Sequence, residues 1–282
     1  MSPHLCAFKA AFRTASRPSS GNAQRSFVKL PMERPMNEET LPHYKKEQFY
    51  PVHVGDWFND RYRVTGKLGF EAYSTSWLCQ DLGNQSYVVL KVSTSPRNFP
   101  TATDREFNIY KHLTTIESDH PGQSIIRELY DSFEIRDHAG KPVSHLKTDN
   151  LMLSLEDNTM LADFADSETM QPSPRKKIDE SHTIYQSRPF RRPSKGKSFG
   201  LPTLCDFGEA RIGNVHESGP FVQPNIYRAP EIIFEMPWGS AVDIWNLGAL
   251  MWDLFEGHHL FGDIFDEKGN HDPFRHLALM VA

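Results

Sequence analysis

Lys91 stands near the end of the apolar run 87–92 (YVVLKV), Glu106 falls within 104–113 (DREFNIYKHL), residues 146–150 read LKTDN and residues 206–208 read DFG. Leu68 and Gly69 stand ahead of these, and 228–231 (RAPE) and the spaced trio Asp243, Trp245 and Gly248 follow them. By residue type the set offers lysines to an anionic group and carboxylates with an amide to a cation. The glycine lies where backbone could approach a ligand closely. Each match alone is weak, because a strand lysine or a helix glutamate is most often a surface residue. The weight comes from their order and spacing.

Local patterns supply the elements that position these residues. Three β-prone runs, 61–65 (RYRVT), 75–79 (TSWLC) and 87–92, are separated by turn formers and read as an antiparallel meander. In 104–113, Phe107, Tyr110 and Leu113 recur every third residue beside Ile109, as on one face of a helix. Lys91 is therefore expected on a strand and Glu106 on the helix after it. Residues 241–255 (AVDIWNLGALMWDLF) are apolar on nearly every side, which predicts a buried helix stopped by Gly257. Ser240 and Asp243 have the spacing of a capping box at its start.

Other stretches break the periodicity. Residues 163–202 contain Pro172, Pro174, Pro189 and Pro193 and a basic cluster of Arg175, Lys176, Lys177, Arg188, Arg191, Arg192, Lys195 and Lys197. They read as a solvated surface loop in preference to a nuclear-import or RNA-contact signal. The first 32 residues carry Lys and Arg with no acid before Glu33, the composition of a mitochondrial transit peptide or of a disordered basic tail. Residues 31–50 read as a linker.

At 282 residues the chain can bury a substantial core, and its net charge of -5 removes any bulk-charge argument for nucleic-acid binding. Cys6, Cys79 and Cys205 are far apart and in no metal-ligand spacing, which argues against a disulfide framework or a zinc site and for a reducing compartment. No apolar run is long enough to span a bilayer, so a soluble, intracellular protein is expected.

The stretches 161–190 (LADFADSETMQPSPRKKIDESHTIYQSRPF), 201–211 (LPTLCDFGEAR) and 227–261 (YRAPEIIFEMPWGSAVDIWNLGALMWDLFEGHHLF) resemble the fungal SR-protein-kinase-like serine/threonine kinases. The resemblance implies an α+β, two-lobed eukaryotic protein kinase-like fold. It places a leader and linker at 1–50, an N-lobe at 51–142, and a C-lobe at 143–282 that is incomplete and contains a basic spacer at 163–202. It implies transfer of the γ-phosphate of ATP, with Mg2+, to Ser or Thr of protein substrates, in particular Arg/Ser-rich ones, without membrane or direct nucleic-acid partners. Leu68 and Gly69 would belong to the ATP-binding loop. Lys91 would hold the α- and β-phosphates and be fixed by Glu106, Lys147 would neutralise the γ-phosphate, and Asp206 and Asn150 would hold the metal. Cytoplasm or nucleus is the implied location, to which the leader adds the mitochondrion.

The chain also departs from that pattern. His145 occupies the position of the usual catalytic aspartate, and 133–143 (FEIRDHAGKPV) runs almost directly into the loop, without the family's hinge and long supporting helix. Glu71, Ser76 and Val89 stand where the family has glycine, valine and alanine around the nucleotide. Asp163 and Phe164 form a second DF pair, assigned to the spacer because Ala165 follows. The alternative to an active kinase is a catalytically inactive pseudokinase or fragment acting by protein binding.

Overall fold

The computed structural model describes residues 26–282 except 43, 73, 95–99, 128, 137–141, 148–152, 156–158, 194, 197–198, 206 and 218–221. The chain forms two compact units, Met1–Gly208 and Glu209–Ala282.

In the first unit, β1 (Trp57–Phe58), β2 (Tyr62–Glu71), β3 (Ser74–Asp81) and β4 (Ser86–Ser93) make the expected antiparallel meander, and α1 (Pro100–Thr114) follows. Next come β5 (Ser132–Arg136) and β6 (Pro142–Lys147), which complete a six-stranded sheet in the order β1-β2-β3-β4-β6-β5. Alternation along the strands sends side chains to opposite faces. Val64, Trp77, Cys79, Leu90 and Val92 build a core on one face, while Leu78 turns to the other.

The spacer is folded against this sheet, which corrects its reading as a solvated loop. After β7 (Leu153–Leu155), α2 (Thr159–Met170) lays Met160, Leu161 and Phe164 on the Leu78 face. The hairpin of β8 (Arg175–Lys177) and β9 (Thr183–Tyr185) covers the opposite face, where Tyr185 meets Trp77 edge-on at 5.6 Å between centroids. After β9 the chain crosses the outer edge of β2, where the Arg188 amide donates to the Lys67 carbonyl at 3.0 Å. An open edge is thereby closed. β10 (Phe199–Pro202) then pairs with β7.

Three basic side chains of the spacer meet acids, whereas Lys177, Arg192 and Lys195 are exposed. Lys176 pairs with Glu39, Arg188 with Glu168 and Arg191 with Asp163. Two of those acids belong to the spacer itself, and Glu39 belongs to the stretch expected to be a linker. That stretch is docked instead: Glu38 pairs with Lys67 of β2, Lys46 with Asp179 at 2.9 Å, and Asn37 Nδ2 donates to the Tyr185 carbonyl at 2.6 Å. The leader at 1–25 lies outside the described residues.

The second unit contains α3 (Pro230–Ile233), α4 (Ala241–Glu256) and α5 (Pro273–Val281). Ala229, Ile232 and Val242 form its small core with Val222, Trp238 and Trp245. Gln223 ties the entry of α3 to α4, accepting from the Ala229 amide at 2.9 Å and donating to the Val242 carbonyl at 2.6 Å. Gly257 ends α4 as expected, in the left-handed region at φ 73°. Two expectations for α4 change. Only Val242 and Ala249 of it are buried, while Ile244 and Phe255 are 71 % and 82 % exposed, because one narrow stripe of the helix meets the small core. Ser240 makes no side-chain cap, being helical itself at φ -62° and ψ -13°.

Candidate functional site

β4 lies between β3 and β6, so Lys91 has Ser76 beside it on one side and Lys147 on the other. Its side chain emerges on the face that carries Val89 and Leu78, since Val89 is two residues away and opposite Leu78 in the ladder. A buried ammonium requires an anion. Lys91 Nζ has one in Glu71, whose Oε2 stands 2.9 Å away. Glu71 is the last residue of β2, in register with Ser74, and the Ser74 hydroxyl donates to the same carboxylate oxygen at 3.0 Å. The two partners differ in exposure: the lysine side chain is 6 % exposed and the glutamate side chain 44 %.

Leu68 and Gly69 stand on β2 next to this pair. Leu68 packs on the cluster formed by Leu78 and α2, and Gly69 lies opposite Ser76. A Cβ on Gly69 would meet nothing within 4 Å, so the sheet is open beside the lysine. Two bulges in the β2–β3 ladder, between Val64 and Gly66 and between Lys67 and Gly69, set which way each β2 side chain faces. Lys67 consequently points to the Trp77 face, its ammonium 5.8 Å from the Trp77 ring, away from Lys91. Burial lowers the Lys67 pKa from its ordinary value, and the nearby Glu38 carboxylate opposes that shift.

Glu106 is buried in α1 beside Ile109 and Tyr110, the periodic face read from the sequence. The same helix holds the end of the DFG motif. Arg105 Nη1 donates to the Gly208 carbonyl at 3.1 Å, and the Tyr110 and Phe207 rings meet edge-on at 5.2 Å. Asp206 and Asn150, expected to hold a metal, lie outside the described residues. Among the described residues no group of three or more His, Cys, Asp or Glu is gathered to bind a metal ion.

The expected catalytic loop takes a different form. Residues 143–147 belong to β6, paired with β5 so that His145 stands opposite Glu134, and with β4 so that Lys147 stands opposite Lys91. The reason is local: two β-prone runs joined by a short, Gly-containing connection fold back as a hairpin. His145 and Lys147 are thus ladder residues of the sheet. The second DF pair is structural, with Asp163 bound to Arg191 and Phe164 buried in α2.

The sequence shows Glu71 only as a residue standing where the resembling family has glycine, and the resemblance offers Glu106 as the partner of Lys91. The signal for the Glu71 pair was the meander itself, since closing β2 onto β3 and β3 onto β4 carries the hairpin end of β2 toward Lys91. The Lys67–Glu38 pair had a fainter signal, the adjacent acids Glu38 and Glu39 upstream of β2.

Residues 194–280 match the family model described as a protein kinase domain. A serine/threonine protein kinase of Aspergillus fumigatus is 39 % identical over 309 residues, covering 96 % of this chain and 77 % of that relative. The serine/threonine-protein kinase SRPK of Physarum polycephalum is 23 % identical, covering 86 % of this chain and 71 % of its own. The fold is similar to that in the crystal structure of the PF14_0431 kinase domain, with a TM-score of 0.52 at 19 % identity over 84 % of this chain and 74 % of that one.

Proposed function

The chain belongs to the serine/threonine protein kinase family, and from that premise we propose that Lys91 is its anchor for the ATP phosphates, with Arg/Ser-rich proteins as the phosphate acceptors. Kinases of this family transfer the γ-phosphate of ATP to protein hydroxyls, chemistry that depends on positioning and on neutralising charge. The observation that supports the anchor is the state of Lys91: a buried ammonium on the central sheet, held by a carboxylate at 2.9 Å. An ammonium that donates to a carboxylate oxygen there can donate equally well to a phosphate oxygen. Leu68 and Gly69 would flank the bound nucleotide.

Glu106 would steady Lys91 from α1. Asp206 and Asn150 would hold Mg2+, which when bound neutralises phosphate charge; the grip of α1 on Phe207 and Gly208 would fix the backbone that presents Asp206. Lys147 would neutralise the γ-phosphate, as the family resemblance implies. No described helix is long and apolar enough to cross a membrane. The family resemblance favours the cytoplasm or nucleus.

The test is phosphorylation of an Arg/Ser peptide by the purified chain with Mg-ATP, beside Lys91→Met. Transfer by the wild type that disappears in the variant is expected. Nucleotide binding without any transfer would instead support the protein-binding alternative, for which His145 at the position of the family aspartate is the motivating residue.

A further inference from the structure

Among the described glycine-loop residues, Glu71 has a side chain that reaches the lysine that the phosphates need. We infer that Glu71 is a built-in competitor of the nucleotide: its carboxylate occupies Lys91 in the manner of a phosphate group, and ATP binds only as that carboxylate leaves. The inference rests on the reading of Lys91 as the phosphate anchor.

Three observations carry it. First, the contact is a charge-assisted bond at 2.9 Å, the geometry that a phosphate oxygen would make with the same ammonium. Second, the Lys91 side chain is 6 % exposed, so the carboxylate takes up part of the little surface that the ammonium offers. Third, Glu71 sits at the end of β2 and is 44 % exposed, anchored by the Ser74 hydroxyl and not by the core. It can therefore swing outward without rebuilding the sheet, and the space beside Gly69 is open. Even when displaced, the carboxylate stays near the triphosphate and repels it. A glycine at 71 would impose neither cost. Glu71 thereby lowers affinity for nucleotide, and a cation that draws it outward raises it.

The experiment is calorimetric titration of the full chain with ATP, with tripolyphosphate and with adenosine, in wild type, Glu71→Gln, Glu71→Asp, Glu71→Gly and Lys91→Met. Glu71→Gln keeps the shape of the loop and removes the charge, and should tighten ATP and tripolyphosphate about fivefold, the worth of a partly exposed ion pair, while leaving adenosine unchanged. Glu71→Asp retains the charge with one methylene less reach and should fall between. Lys91→Met should lose tripolyphosphate binding. Wild type and Glu71→Gln binding ATP equally, or the variant binding more weakly, would overturn the competitor. Binding of ATP by none of the proteins would overturn the phosphate anchor too, so the two failures are distinguishable. Should Glu71→Gly not fold, the isosteric glutamine decides.

Discussion

Glu38 and Lys67, 29 positions apart in the chain, meet as an ion pair closed off from water on the Trp77 face of β2. The pair fastens the N-terminal segment to the strand that leads into the glycine loop. Removing one partner strands the other charge in a buried site, which costs about 3 kcal/mol or more. Glu38→Gln should lower stability by that amount in urea unfolding, and Glu38→Leu with Lys67→Met should recover most of it. The deficit of Glu38→Gln should shrink at alkaline pH, where a lysine whose pKa burial already lowers loses its proton. A Glu38→Gln protein as stable as wild type at pH 7 would contradict a sealed pair.

Gly66 and Phe164 are packed so closely that a Cβ on the glycine would stand 2.9 Å from Phe164 Cε1. Gly66→Ala must displace the ring or shift α2 from the sheet, at a cost of about 1–3 kcal/mol. Phe164→Ala opens a cavity and should cost about 3–5 kcal/mol. The double variant should cost less than the two single variants added together, because the alanine methyl enters the space that the ring vacates. Strict additivity in denaturant midpoints would mean that α2 does not rest on β2.

His276 is wholly buried in α5, with Nδ1 3.0 Å from His271 Nε2 and its ring 5.2 Å from that of Phe261. Burial first, then the positive potential of His271 and Arg228, pushes its pKa from 6.5 down to about 4. Between those values the unfolded chain binds a proton that the folded chain refuses. Stability from this group is therefore complete above about pH 6.5 and falls as acidity increases toward pH 4, by about 3 kcal/mol in all. Amide exchange in 273–281 should accelerate over that window, and His276→Phe should flatten the response. Equal protection at pH 7 and pH 4.5 in the wild type would rule the effect out.

The meander and α1 were legible because each is written in a short window: alternation in 87–92 and a three-residue recurrence in 104–113 need no distant partner. Lys91 and Glu106 could be placed on their elements for the same reason. The spacer could not be read this way, since Lys176 is stabilised by Glu39 and Asp179 by Lys46, residues well over a hundred positions away. A local reading sees only unpaired charge. Apolar composition misled for α4, where hydrophobicity states what a helix could bury but not how much of it a small unit covers. Residues 143–147 matched a motif by type, yet the hairpin with β5 took them into the sheet.

The clasp that the spacer places around β2 also dictates an order of events. Trp77 leaves the ribosome about a hundred residues before Tyr185, the side chain that covers it. At roughly 5–20 residues per second the nascent sheet waits on the order of 5 to 20 s with that face bare and the β2 edge unpaired. Completion of the first unit is therefore tied to translation of its last third. Slow codons between 81 and 185 would lengthen the interval in which a chaperone must stand in for the β8–β9 hairpin.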